Sequence, residues 1–470
     1  MTHSPPGIQG RLMRGRLGLP DIVAQAVSGV GPVYSSLVFV PLIAGGDGGV
    51  GAGAGVTVCI ALAAVVMVAI AWVFATFARQ VDTPGSLYDY LNLSLGPRWG
   101  RAFGLLFYSC AIAAFLNGVL TLGGLGSDLA RACVGVDVPW WACALVALGV
   151  IAWAVSRGIS LSTRLQLGIS IASMLAIGMF ALWVVVHAPV GPGGAAHATM
   201  HSLRHGGVAG VMMGMVFALF MYGGFEGAAN LAEESADPRR AIPRAMMLTI
   251  GINAGFYVIV SYASLAGNMF DPARLEEQAM PLLSLSASRQ WGAPALHAAL
   301  LALTLADVLA MIMAGSIAIA RGLLSLARNG VLPPVLARTS AVRRVPVTAN
   351  CMLLGGCAVV VCLIHALHAG HGTEGAEYMA VFVWLGTYAG LCLMIAWGAT
   401  CLGALRYFSQ PGHARAPCLR PAALVGFVAC AGVGGVTLMQ CGGSTLWVPV
   451  MIGLVLCVAV LGMRRHPGAA

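Results

Sequence analysis

Apolar residues fall into blocks of about 20 along this chain, parted by short segments rich in Arg, Gly and Pro. Blocks of that length suit a membrane-spanning helix, and they lie near 20–43, 52–78, 102–126, 138–156, 165–187, 208–232, 245–267, 293–320, 348–368, 378–403, 421–440 and 444–463. The pattern predicts an all-α integral membrane protein with twelve transmembrane helices. One transporter-sized membrane domain covers 20–463, between an N-terminal tail at 1–19 and a C-terminal tail at 464–470. Two polar stretches predict helices outside the spans. Asp82-Thr83-Pro84-Gly85-Ser86 opens a short cytoplasmic helix after the second span, and Asp271-Pro272 opens an outer surface helix before the eighth. The segment 188–207 reads as an outer loop.

The positive charges test this count. With the N-terminus inside, only Arg131, Arg204, Arg274 and Arg289 fall in outer segments, and the other 21 of the 25 basic residues fall in inner ones. Such a bias sets orientation, so both termini are expected to be cytoplasmic. One missed or invented span would scramble the alternation.

Two spans are interrupted at mid-depth. Phe217-Ala218-Leu219-Phe220-Met221-Tyr222-Gly223-Gly224-Phe225-Glu226 places two glycines and a carboxylate inside the sixth. A charged side chain there costs at least about 2.5 kcal/mol, so intramembrane acids mark transport paths and proton relays. The glycine pair invites unwinding, and unwound backbone is tolerated at that depth only where it lines a cavity. The first span carries Ser28-Gly29-Val30-Gly31-Pro32, where Pro32 also removes a donor. Interruptions that open two successive five-helix units are the trace of an inverted repeat, with substrate bound between the broken helices.

Composition narrows the class further. The chain is 59% hydrophobic and 9% charged, against about 25% charged in soluble domains. All its basic residues are Arg, which with 62 Gly points to a G+C-rich bacterial genome. The net charge of +9 resides in short loops facing an anionic leaflet, so membrane lipid and not nucleic acid is the partner of that charge. The 13 Cys are scattered through apolar spans and read as small buried hydrophobes. Ala24-Gln25-Ala26 precedes its apolar stretch, unlike a signal-peptidase site. Gly46-Asp47-Gly48-Gly49-Val50-Gly51 matches a dinucleotide fingerprint by letter but joins two spans. His197, His201, His205 and His365, His368, His371 have helical spacing beside outer loops, without nearby Cys, and read as compositional. No metal and no cofactor is expected. Gly210 and Gly214 predict close helix packing.

Phe225-Glu226, followed by Glu233-Glu234, Asp237-Pro238-Arg239-Arg240 and Ile242-Pro243-Arg244, resembles the sixth-helix signature of amino acid permeases of the amino acid–polyamine–organocation superfamily. Arg328-Asn329-Gly330-Val331-Leu332-Pro333 and Ser28-Gly29-Val30-Gly31 resemble two further motifs of that family. The resemblance implies a LeuT-like five-plus-five inverted repeat with broken helices 1 and 6 and two peripheral helices. It also implies that the substrate's carboxylate meets backbone donors around Ser28, Gly29, Val30 and Gly31, and its ammonium meets carbonyls near Phe220, Met221 and Gly223. Phe220 or Tyr222 then covers the side chain, with Gly223 and Gly224 leaving room. Pro32 departs from the family pattern. The chain has no Lys for the fifth-helix position of some proton-coupled relatives, where Ser173 lies near the equivalent depth. Ser316 is a single hydroxyl where sodium-coupled relatives pair two.

The resulting expectation is secondary active transport of an amino acid or related small amine, coupled to protons or by exchange, across the cytoplasmic membrane. Glu226 and Asp307 are the coupling or gating candidates, and the bland alternatives are a helix cap and a hydrogen-bonded buried acid. Glu233, Glu234, Arg239 and Arg240 form a cytoplasmic gate or a solvated loop. A polyamine or organic-cation permease is the alternative, with Asp307 as counter-charge. A membrane-embedded hydrolase lacks HExxH and a serine–histidine constellation, and a passive channel would not need paired broken helices.

Overall fold

The computed structural model describes residues 18–45, 51–80, 86–157, 163–188, 209–231, 235–328, 332–338, 347–368, 376–410, 417–441 and 447–464. The broken first span is α1 (Leu19–Val30) and α2 (Pro32–Gly45); the second is α3 (Val56–Ala78), followed by the short α4 (Ser86–Leu95). Then come α5 (Pro97–Val134), α6 (Trp140–Ser156), α7 (Thr163–His187) and α8 (209–220), the last leading into a 3₁₀ stretch, Phe225–Leu231. The second unit continues with α9 (Pro238–Gly267), the short α10 (Pro272–Glu276) and α11 (Pro281–Ala287), α12 (Pro294–Arg328), α13 (Val347–His368) and α14 (Ala376–Tyr407). α15 (Leu419–Gln440) and α16 (Trp447–Arg464) follow. Helices dominate because every backbone group must find its partner inside its own segment where no water is available.

Ten helices among the described residues are long and apolar enough to cross a membrane, and the fourth and twelfth expected spans coincide with shorter apolar stretches, Trp140–Ser156 and Trp447–Cys457. Several helices overrun their expected bounds. α5 has 38 residues, about 57 Å of helix, so it must tilt or project beyond a hydrocarbon layer of about 30 Å.

The inverted repeat is visible in the packing. α3 lies against α9, α5 against α12 and α6 against α13, each span on its counterpart in the other unit, while α1 lies against Phe225–Leu231. The interrupted first span is the buried centre. Its apolar window is 94% enclosed by protein, against 33% for Leu165–His187, Thr348–Leu367 and Leu419–Gln440, which present most of their side chains outward.

The glycine pair on α8 packs as expected. A Cβ on Gly214 would stand 2.9 Å from the Ile43 carbonyl oxygen, and one on Gly210 would collide with the Gly51 carbonyl. α4 forms where the turn signal places it and buries Leu87, Tyr90 and Leu91, with Tyr90 stacked on Phe77 at 5.0 Å. The single outer helix expected after Asp271 is two, α10 and α11. Pro272 and Pro281 each open a helix, where a missing N–H costs nothing, and the Asp271 carboxylate accepts from the Ala273 N–H. Cys59, Cys110, Cys357, Cys392, Cys401 and Cys430 are buried as small hydrophobes, and the other seven reach the surface in part or fully. Residues 189–207, the first histidine tract, His371, Gly46–Val50 of the glycine run, and Glu233 and Glu234 lie outside the described residues.

Candidate functional site

α1 ends because Gly31 turns left-handed (φ 64°), its N–H donating to the Ser28 carbonyl at 3.2 Å. Pro32 then takes the first position of α2, so the departure from the family pattern falls where proline is well tolerated. The neighbourhood is tight: a Cβ at Gly31 would collide with Met311 of α12. The second break runs through Met221–Gly224, with Gly224 at φ 106°. The two breaks touch each other. A Cβ on Gly224 would lie 3.1 Å from the Gly29 carbonyl oxygen and 3.4 Å from Val30 Cα, so the bare backbones of the two interrupted spans cross there.

The open donors at the first break are shifted from their expected place. Ser28, Gly29 and Val30 lie within the last turn of α1, and the Gly31 N–H is bonded. The N–H groups with no partner inside their own helix are those of Val33 and Tyr34, because the Ser35 N–H already reaches the Gly31 carbonyl at 2.9 Å. They open the N-terminus of α2, whose dipole favours an anion.

On the other side, the Phe220 carbonyl accepts from Gly223 N–H at 2.9 Å and the Met221 carbonyl accepts from the Tyr257 hydroxyl of α9 at 2.8 Å. Tyr257 thus pins the unwound segment to α9. Replacing it with Phe is expected to lower stability by about 1 kcal/mol, read as a lower melting temperature of the detergent-solubilised protein. An unchanged melting temperature would mean that another contact holds Met221.

The two aromatic candidates differ. Tyr222 is fully buried and packs edge-on against Tyr257 at 5.1 Å, turned into the scaffold. Phe220 is only partly buried and sits edge-on to Phe39 at 5.3 Å. Phe39 also lies beside Phe217 and Phe382, completing an aromatic wall.

Glu226 is 4% exposed. Its carboxylate accepts from the Gly224 N–H at 3.1 Å, so it caps the 3₁₀ stretch and ties the acid to the positive-φ glycine of the break. Cys110 of α5 lies within electrostatic reach of it. Asp307 is equally buried on α12, with the Ser170 hydroxyl of α7 beside its carboxylate. Asp307 lies on α12 beside α7, while Glu226 lies on the 3₁₀ stretch that packs on α1 and α9. Arg239 and Arg240 are exposed at the start of α9, and Arg240 pairs with Asp237 at 3.9 Å, an exposed contact contributing about 0–1 kcal/mol. Ser173 donates to the Ile169 carbonyl and Ser316 to the Met313 carbonyl.

Sequence reasoning overlooked Tyr257, Asn117 and Asn253, all fully buried. The signal was available as helical spacing: Thr249, Asn253 and Tyr257 are four residues apart along α9, and Asn117 and Thr121 along α5.

The Amino acid permease family model matches residues 17–461. The chain belongs to the amino acid permease family. The permease is 30% identical over 317 residues to an uncharacterized transporter of Mycobacterium tuberculosis, a match covering 67% of this chain and 66% of the relative. It is 26% identical over 305 residues to the vacuolar cationic amino acid transporter 2 of Arabidopsis thaliana, covering 61% of this chain and 46% of that one. The chain therefore spans just under two thirds of the mycobacterial relative and under half of the plant one. A manganese transporter of Eremococcus coleocola superposes with a TM-score of 0.59, covering 97% of this chain and 99% of that one at 10% identity, a likeness of fold. Its family and its ten apolar helices among the described residues make the chain a multi-pass membrane protein.

Proposed function

We propose that the permease moves an amino acid or related small amine across the cytoplasmic membrane by alternating access, with both termini cytoplasmic and with protons or a counter-transported amino acid as the driver. The observation that carries this reading is the backbone crossing of Gly224 on Gly29 and Val30. It supports a site with the dipole-positive start of α2 for a carboxylate and the unwound carbonyls of the second break for an ammonium. Glu226, bonded to the Gly224 N–H, links a titratable group to the geometry of the break. A charged carboxylate holds that N–H more strongly than a protonated one, so protonation loosens the cap. Arg239 and Arg240 at the start of α9, with Glu233 and Glu234, serve as the cytoplasmic gate.

Uptake of a radiolabelled amino acid mixture by proteoliposomes tests this, with and without an inward proton gradient. Concentrative uptake that an uncoupler abolishes is the expected result, and uptake only into vesicles preloaded with amino acid would make the permease an exchanger. The second reading, a polyamine or organic-cation permease, is favoured by the buried acid Asp307 on α12, a candidate counter-charge. Labelled spermidine entering in place of amino acids would establish it and sink the first.

A further inference from the structure

No acidic residue follows Glu377 in this chain, while Arg406, Arg415, Arg420, Arg464 and Arg465 do. Beyond the first turn of α14, then, the last three helices carry positive charge with no carboxylate of their own to neutralise it. Arg406 lies in the last turn of α14 and Arg420 in the first turn of α15. Both stand at the same end of the bundle as Arg79. Phe408 packs on Phe77 with ring centroids 5.1 Å apart, and the Trp72 indole N–H donates to the Pro417 carbonyl at 3.1 Å. Arg79 in turn lies over the Trp72 ring at 5.0 Å. All three arginines are exposed, and among the described residues none of them is in an ion pair.

Between the end of α14 and the start of α15 lies a cavity of about 320 Å³, at the small end of ligand pockets. Its floor is apolar: Phe408 and Leu419 are buried there, with Leu405 beside them. Its rim is polar, made by Ser409, Cys418 and Arg420, all exposed. The apolar window of α15 is only 33% enclosed by protein, so the cavity opens beside lipid. Trp72 marks its depth, because amphipathic indole rings settle at the boundary between membrane and water. A soluble anion would use the guanidinium and leave the apolar floor wet. A molecule with a phosphate above and hydrocarbon below uses both.

We infer that this cavity binds an anionic phospholipid, its phosphate held by Arg420 and Ser409 and its first methylenes laid on Leu405 and Phe408. Basic pockets between spanning helices suit acidic headgroups, and a planar guanidinium can meet two phosphate oxygens at once. Arg79 and Arg406 add to the local positive potential without lining the cavity. The consequence reaches the candidate site. α14 runs unbroken from the cavity back to Gly390, where a Cβ would stand 3.8 Å from Phe220 Cβ. A bound headgroup therefore steadies one end of the helix that packs on the second break.

The test uses the purified full-length permease in detergent and follows alkylation of Cys418 by a maleimide, read peptide by peptide. Cys133, exposed at the end of α5, is the reference thiol. Phosphatidylglycerol at about ten times its dissociation constant should slow Cys418 alkylation roughly tenfold, as occupancy dictates, and leave Cys133 unchanged. Phosphatidylcholine and inorganic phosphate should protect Cys418 little. Arg420→Gln should require roughly tenfold more phosphatidylglycerol for the same protection, the value of one charge-assisted hydrogen bond. It should melt like wild type when no lipid is added, since it trims an exposed side chain. Arg338→Gln, an exposed arginine away from the cavity, should titrate as wild type does. Equal protection by phosphatidylcholine overturns the proposal, because charge is then not read. Protection by inorganic phosphate alone overturns it in favour of a soluble-anion site. Absence of protection, or an Arg420→Gln permease that titrates like wild type, overturns it outright.

Discussion

Gly224→Ala should cut the transport rate per molecule by more than tenfold. The glycine holds φ 106°, where a side chain is strained by about 1–3 kcal/mol, enough for roughly a tenfold change in an equilibrium or more. Space adds to the strain. The new methyl would meet the Gly29 carbonyl oxygen at 3.1 Å, and the Gly29 carbonyl carbon and Val30 Cα at 3.4 Å, all backbone atoms with no rotamer to yield. Either α1 or the 3₁₀ stretch must move, and both breaks change shape together. Gly227→Ala, one residue past Glu226 and with nothing within 4 Å of its added methyl, is the matched control and should transport normally. Initial uptake rates normalised to protein in the vesicle decide it. A Gly224→Ala permease with wild-type rates would mean that the crossing of the two breaks is not where substrate is handled.

Glu226→Gln should leave a folded permease whose uptake no longer responds to a proton gradient, with net accumulation down about tenfold or more and exchange retained. Glutamine keeps an oxygen that can accept from the Gly224 N–H, which the carboxylate now takes at 3.1 Å, so the cap survives in part. What disappears is the ability to change charge. In the wild type the carboxylate form holds the break closed more firmly than the acid form, because a charged acceptor makes the stronger hydrogen bond. Glu226→Ala removes the cap as well, and should lose stability in addition to coupling. The comparison separates the two roles. Initial rates across the physiological pH range, with and without a gradient, are the measurement, and pH dependence in Glu226→Gln like that of wild type would leave the residue as a cap alone.

Much of the architecture is local and was therefore legible. Spans are marked by hydropathy over about 20 residues, and the breaks at Gly31 and at Met221–Gly224 are marked by glycines and a proline that declare their own backbone preferences. The close packing of Gly210 and Gly214 followed from their size alone.

What the sequence did not carry is which face of each span meets protein. Lipid tails are as apolar as leucine, so hydropathy says that a helix is enclosed but not by what, and α2 and α15 look alike until packing separates them. That is why Phe220 and Tyr222, two residues apart, were equal candidates until the fold turned Tyr222 onto Tyr257 and left Phe220 beside Phe39. It is also why the open donors moved from Ser28–Gly31 to Val33 and Tyr34: the position of a single left-handed residue decides which N–H groups remain outside a helix. Chain order alone determined the number and kind of interruptions. Only the tertiary structure decided that Gly224 rests on Gly29, that Tyr257 holds the Met221 carbonyl and that Asn117 faces Gly386, because each joins elements far apart in sequence.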